Sequence, residues 1–298
     1  MRAATSAPAC VRSSSHASPS VAVEIGAIPI LLQPSNPEFC ALLEKRYAGF
    51  VNPFSEPTYR FEIQLDPAGE PSDEDAQVTR EGSLWRFRRG DFRATWDARA
   101  GRGWIRQCPN PYSIDTVLRI THSLVLAEEG GFLVHAASAI RNGAAYLFAG
   151  VSGTGKTTMA RLAPQDAVVL TDEISYVRRI ASGYRAYGTP FAGELARSGA
   201  NTSAPVGALY LLEQGPENRL EPIARKDAAR ALMRHILFFA HEEEMVARLF
   251  DAVLEFVSRV EVSRLVFTPD ARAWELIAPE QIAPEQIATE QITLEQIR

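Results

Sequence analysis

The sequence is poor in cysteine and poorer still, for its size, in lysine. Its three cysteines, Cys10, Cys40 and Cys108, are odd in number, far apart and outside every metal-ligand spacing, which argues against a disulfide framework and against a zinc site. That usage leads us to expect a reducing, cytoplasmic setting. No stretch reaches the run of about eighteen apolar residues that a membrane span needs. The first twenty residues carry Arg2 and Arg12 among serine and alanine without a continuous apolar segment, so no secretory signal is expected either. Positive charge is also in deficit: the net charge is −5 and the isoelectric point is near 5.7, so no overall basic field draws nucleic acid or an anionic membrane. Among the 31 basic residues only Lys45, Lys156 and Lys226 are lysine, so a lysine at a motif position is unusually hard to obtain by chance.

What the chain does have is 46% hydrophobic residues over 298 positions, enough for one large domain or two smaller ones. Composition and pattern divide it into a disordered tail over 1–20, a β-rich region over 21–110, an α/β region over 111–277 and a low-complexity tail over 278–298. The last repeats Ala-Pro-Glu-Gln-Ile with a period that matches neither helix nor strand. Within the β-rich region, Pro37–Tyr47 has helical spacing with Asn36 as a cap, and Trp85–Arg89 and Phe92–Trp96 read as a hairpin around Gly90. From Ile114 to Leu126 apolar residues recur every three or four positions, an amphipathic helix that Gly130-Gly131 ends. Strand signals follow at Phe132–Ile140 and Ala144–Ala149, then a glycine loop, a short helix to about Ala163 and a strand at Ala167–Leu170, the order of an α/β nucleotide-binding core. Further hairpins are expected between Ile174–Ile180 and Tyr184–Tyr187, and between Val206–Leu212 and Arg219–Pro222. Lys226–Ala240 and Glu242–Val260 read as helices, and 196–205 reads as a mobile loop, either a cover for a substrate or a plain surface loop.

The chemistry concentrates in Gly150-Val151-Ser152-Gly153-Thr154-Gly155-Lys156-Thr157, with Thr158 following. It fits the phosphate-loop pattern and lies between an apolar strand and a helix, the context the mechanism demands. Glycines let the backbone turn successive N–H groups toward a phosphate, Lys156 reaches the β- and γ-phosphates, and the Thr157 hydroxyl is a magnesium ligand. ATP with Mg2+ is the expected ligand. The next strand delivers Asp172 and Glu173 at its carboxyl end. Of two adjacent carboxylates, one can hold the ion while the other accepts the proton of an attacking hydroxyl. His135, in the strand before the loop, is on its own terms more often a core residue than a catalyst. His122, His235 and His241 read as helical. Gly188–Glu194 is turn-rich and carries a single carboxylate.

The run Leu133-Val134-His135-Ala136-Ala137-Ser138, the loop Gly150–Thr158 and Leu170-Thr171-Asp172-Glu173 together resemble the HPr kinase/phosphorylase catalytic domain, in particular its shorter relatives without the usual N-terminal domain. The loop is also similar to that of ATP-dependent phosphoenolpyruvate carboxykinase, which shares the fold. The resemblance covers roughly Phe132 to Ile277. It implies a P-loop core of that type behind a β-rich region, and an ATP-dependent kinase acting on a serine hydroxyl of a protein or peptide. On this matching His135 lies near the transferred phosphate and Lys156 holds it, and Asp172, one aspartate of the family's Asp-Asp pair, is the expected catalytic carboxylate. Thr157, Glu173 and Glu194 fall at metal-site positions. The pair here is Asp172-Glu173, or Thr171-Asp172 if the register slips by one, which leaves open which carboxylate is base and which is ligand. The family's second signature loop, which supports phosphorylase activity and binding of HPr, has no counterpart. Family members often form homo-oligomers, and no interface is legible in the sequence. The altered acidic pair also fits a non-catalytic ATP-binding regulatory or scaffold protein. A carboxykinase-like enzyme is the weaker alternative, because the chain is short for it and its arginine and lysine substrate signatures cannot be placed.

Overall fold

The computed structural model describes residues 19–277, apart from Asp73, Ala192, Ala196 and Arg197. The two expected tails lie outside the described residues, but for Pro19 and Ser20. The fold is mixed α/β, with two sheets.

The first sheet has seven strands: β1 (Val21–Ile25), β2 (Ile28–Pro34), β3 (Tyr59–Leu65), β4 (Gln77–Glu81), β5 (Leu84–Arg89), β6 (Phe92–Asp97) and β7 (Arg102–Gln107), in the order β1-β2-β3-β7-β6-β5-β4. The expected hairpin forms between β5 and β6. Strands β1 and β2 alternate between buried and half-buried positions, as a sheet with one covered face requires. Helix α1 (Pro37–Arg46) starts where Asn36 Oδ1 accepts the Phe39 N–H at 2.9 Å, with proline at its first position. Helix α2 (Pro111–Glu129) is capped the same way by Asn110 and ends at Gly130, whose φ of 79° is the left-handed stop that glycine supplies without strain. One buried core runs from this sheet through α2 to Ile174, Tyr176 and Phe191, so α2 joins the two sheets.

The second sheet contains β8 (Phe132–Arg141), β9 (Ala144–Ala149), β10 (Val168–Thr171), β11 (Ile174–Ile180), β12 (Gly183–Tyr187), β13 (Ser203–Gln214), β14 (Arg219–Pro222), β15 (Ile236–Leu237) and β16 (Glu261–Phe267). Helix α3 (Lys156–Arg161) and a 3₁₀ turn at Ala271–Leu276 cover one face around Phe148, Phe267 and Trp274. Helices α4 (Arg225–Met233) and α5 (Glu243–Arg259) cover the other around Leu147, Leu209 and Phe256. Covered on both sides, the central strands are apolar throughout rather than alternating.

Three expectations are corrected. β14 does not form a hairpin with β13: β16 lies between them, parallel to β13 and antiparallel to β14. The helix expected over Lys226–Ala240 stops at Met233, and the apolar residues Ile236-Leu237 extend as β15 against β8. Neither His235 nor His241 is therefore helical. Finally, Ser203–Pro205, expected as loop, pairs with β12 as the start of β13, because a backbone beside an open strand edge gains ladder hydrogen bonds that solvent would otherwise supply. Among the described residues no helix is long and apolar enough to cross a membrane.

Candidate functional site

Strand β8 organises the site because its neighbours change half-way along it on both edges. On one edge β10 pairs with Ser138–Ile140 and β11 with Phe132–His135, and the two residues between them are Asp172 and Glu173. On the other edge β9 pairs with Ala136–Arg141 and ends at Ala149, opposite Ala136, while β15 takes over at Val134. His135 stands where both edges break. Its backbone N–H donates to the carbonyl of His235 at 2.7 Å, and the chain leaves β9 at Gly150 to form the glycine loop. The acidic pair, the loop and His135, far apart in sequence, meet for that reason.

They line one cleft of about 480 Å³, walled by His135, Ser152, Gly153, Gly155, Lys156, Thr157, Thr158, Asp172, Glu173, Gly193 and Glu194. Every residue expected at the site from the sequence lines it except Gly150, Val151 and Thr154, which form the loop's base and outer turn. Gly153 and Gly155 take φ of 82° and 109°, a region closed to most side chains, and a β-carbon on Gly155 would run into the Phe267 ring. No side chain caps the first turn of α3, so its leading amides are left for another acceptor. At six residues, α3 is too short for a strong macrodipole, so an anion at this end would be held by the amides and Lys156 rather than by the helix as a whole.

Lys156 is buried, with 8% of its surface accessible. Its Nζ donates to the carbonyls of Gly150 at 2.9 Å and Val151 at 3.1 Å, tying the ammonium across the mouth of its own loop. Burial lowers its pKa, and Glu194 and Glu173 oppose that shift.

The two carboxylates are held differently. Asp172, 4% exposed, accepts the Gly193 N–H on Oδ1 at 3.1 Å and the Leu195 N–H on Oδ2 at 2.9 Å, which fastens Gly193–Leu195 to the wall of the cleft. Gly193 is required there: a β-carbon would lie 2.9 Å from Asp172 Oδ2 and 2.9 Å from Glu173 Cβ. Glu173 is half-buried, and among the described residues its carboxylate has no hydrogen-bond partner. Burial raises its pKa, against the lowering field of Arg119, while Asp172 raises it further. Thr171 Oγ1 accepts the N–H groups of Glu173 and Ile174, each at 3.2 Å, shaping the turn that presents the pair.

Burial lowers the pKa of His135, as do the charges of Lys156, His235 and Arg119, so its imidazole is neutral at pH 7. His235, beside it, is lowered first by burial and then by Lys156 and Arg234. His122 lies elsewhere, in the core against Tyr176. Among the described residues there is no set of three His, Cys, Asp or Glu that could cage a metal unaided.

Three contributors escape sequence reasoning. His235 is hidden by a helical reading, although the run Ile236-Leu237-Phe238-Phe239 after it breaks helical spacing and was a usable signal. Arg119 looks like an ordinary polar position of an amphipathic helix, and Phe191 like a loop aromatic. Only packing brings them together, with the Arg119 guanidinium 4.9 Å from the centre of the Phe191 ring.

Comparison of the chain with curated proteins gives no match. Residues 113–282, which take in α2 from Ser113 onward, the glycine loop and the acidic pair, match the family model described as SynChlorMet cassette protein ScmC. Since that match takes in more than half of the chain, the protein belongs to the ScmC family.

Proposed function

We propose that the protein is an ATP-dependent kinase that transfers the γ-phosphoryl group to a serine hydroxyl of a protein or peptide. The observation that carries this reading is the double break beside β8, which gathers a glycine loop with an embedded lysine, two carboxylates and a neutral histidine in one cleft. The residues fit the ligand. The loop offers uncapped amides and one ammonium to phosphate oxygens. The oxygen donors Thr157, Asp172, Glu173 and Glu194 suit Mg2+, which takes few protein ligands because phosphates complete its shell. When bound, the ion neutralises charge on the phosphates.

In the step itself the serine oxygen forms a bond to the γ-phosphorus. The bond from that phosphorus to the bridging oxygen breaks, the electron pair leaves with ADP, and the hydroxyl proton passes to a carboxylate. We assign the proton to Glu173 rather than to Asp172, the catalytic carboxylate expected from the sequence. The raised pKa and unengaged oxygens of Glu173 suit an acceptor, whereas Asp172 already accepts two backbone N–H groups and suits a fixed ligand. The family description names a cassette, so products of the same cassette are the acceptors to test first.

A second reading, an ATP-binding scaffold without transfer, is favoured by that engagement of Asp172 in holding a loop. Labelled ATP incubated with wild type and Lys156→Met, with and without cassette peptides, separates the two. The kinase reading expects label on serine in wild type and none in the variant. Nucleotide binding without transfer to any peptide would favour the scaffold, and absence of nucleotide binding would sink both.

A further inference from the structure

We infer that Arg119 forms an anion-binding position on the acceptor side of the cleft, where its guanidinium grips the oxygens of the phosphoryl group being transferred. The inference rests on the phosphate-cleft reading above and extends it to a residue outside the glycine loop.

Arg119 is a half-buried cation without an anion. Its Nε is buried and unpartnered, and among the described residues no carboxylate lies within ion-pair distance of its nitrogens. The carboxylate one helical turn earlier, Asp115, is already taken: it accepts from Arg46 and, at 2.7 Å, from the Tyr47 hydroxyl. Native structures rarely leave a buried donor unsatisfied, and a buried charge with no partner is costlier still. Such a group is held in place by something else. Here that is the Phe191 ring, itself buried, whose centre lies 4.9 Å from the guanidinium carbon; this contact covers a face of the cation and satisfies none of its N–H donors.

The position of the guanidinium is set by two elements. Helix α2 packs against β8 and β11, the strands that carry His135 and follow Glu173. Phe191 lies two residues before Gly193, which lines the cleft and is bonded to Asp172. Arg119 also acts electrostatically on both His135 and Glu173. Lys156 stands in the glycine loop, whereas Arg119 stands on α2, outside the residues that line the 480 Å³ cleft, and its charge acts on His135 and Glu173; on the kinase reading we place the acceptor hydroxyl on that side. A phosphoryl group passing from donor to acceptor moves from the first cation toward the second. A guanidinium, which can donate two parallel hydrogen bonds, suits the charge spread over the equatorial oxygens.

The test uses the full chain and inorganic phosphate as probe, by titration calorimetry with and without saturating MgADP. For Arg119→Gln the expected result is phosphate affinity reduced more than tenfold, with MgADP affinity changed less than twofold; Arg119→Lys, which keeps the charge but not the fork, should fall between. In wild type, phosphate should also protect Arg119 from phenylglyoxal labelling, a readout that does not depend on a variant folding. No phosphate binding by wild type, unchanged affinity in Arg119→Gln, or labelling of Arg119 indifferent to phosphate would each overturn the inference. Phosphate binding that depends on Arg119 in a protein that binds no MgADP would support the anion position while refuting the kinase.

Discussion

Asp172→Asn tests whether the acidic pair holds the cleft together as well as serving its chemistry. The carboxylate accepts two backbone N–H groups, from Gly193 and Leu195, one on each oxygen. An asparagine has nearly the same shape but only one acceptor oxygen, so its amide nitrogen must face one of those N–H donors. One charge-assisted bond is lost and a half-buried donor is left unpaired, for a cost of about 1.5–3 kcal/mol. Because the bonds close a surface segment rather than the core, the loss falls first on local opening. Exchange of the Gly193 and Leu195 amides should therefore accelerate roughly 10- to 150-fold, at about tenfold per 1.4 kcal/mol. Glu173→Gln is the control, since among the described residues the Glu173 carboxylate accepts no hydrogen bond; it should leave both amides protected. Hydrogen exchange read by NMR on the two variants decides the matter. Wild-type protection of both amides in Asp172→Asn would refute the reasoning, as would equal deprotection in the two variants.

Gly193→Ala should destabilise the protein by about 1–3 kcal/mol in urea unfolding, because its new carbon would press on Asp172 and Glu173; unchanged stability would mean the segment moves freely. If Glu173 is the base, transfer slows as pH falls through its raised pKa, since only the ionised form accepts a proton. Glu173→Gln should remove that acid limb and cost about 10²–10⁴ in single-turnover rate. His122, buried against Tyr176, has its pKa pushed down to about 3 by burial and by Arg178. Below about pH 6.5 the unfolded chain binds a proton that the native state refuses, so stability falls with pH from there to about 3. The slope is at most about 1.4 kcal/mol per unit, and denaturant midpoints of His122→Gln should depend less on pH over that range.

Some of this molecule is local in origin and was therefore open to reading in the chain itself. Asn36 and Asn110 before proline start helices, Gly130 ends one, and the hairpin around Gly90 and the one joining β11 to β12 form from turn residues and short apolar runs, because each depends on neighbours a few positions away. The glycine loop belongs to the same class, its spacing being set by backbone geometry within nine residues. Pairing across long separations is different. Nothing local says that β16 slips between β13 and β14, or that the chain after Met233 abandons a helix to extend along β8, since those choices are settled by which strand edge is vacant once the sheet has formed. The cleft has this second origin in part. Its loop, acidic pair and His135 were individually legible, but their meeting depends on β8 exchanging partners on both edges at His135. The roles of Arg119, Phe191, Gly193 and His235 exist only through that packing, because a cation lacking an anion, or a glycine pressed against a carboxylate, is a property of what surrounds it and leaves no pattern in the residue's own sequence.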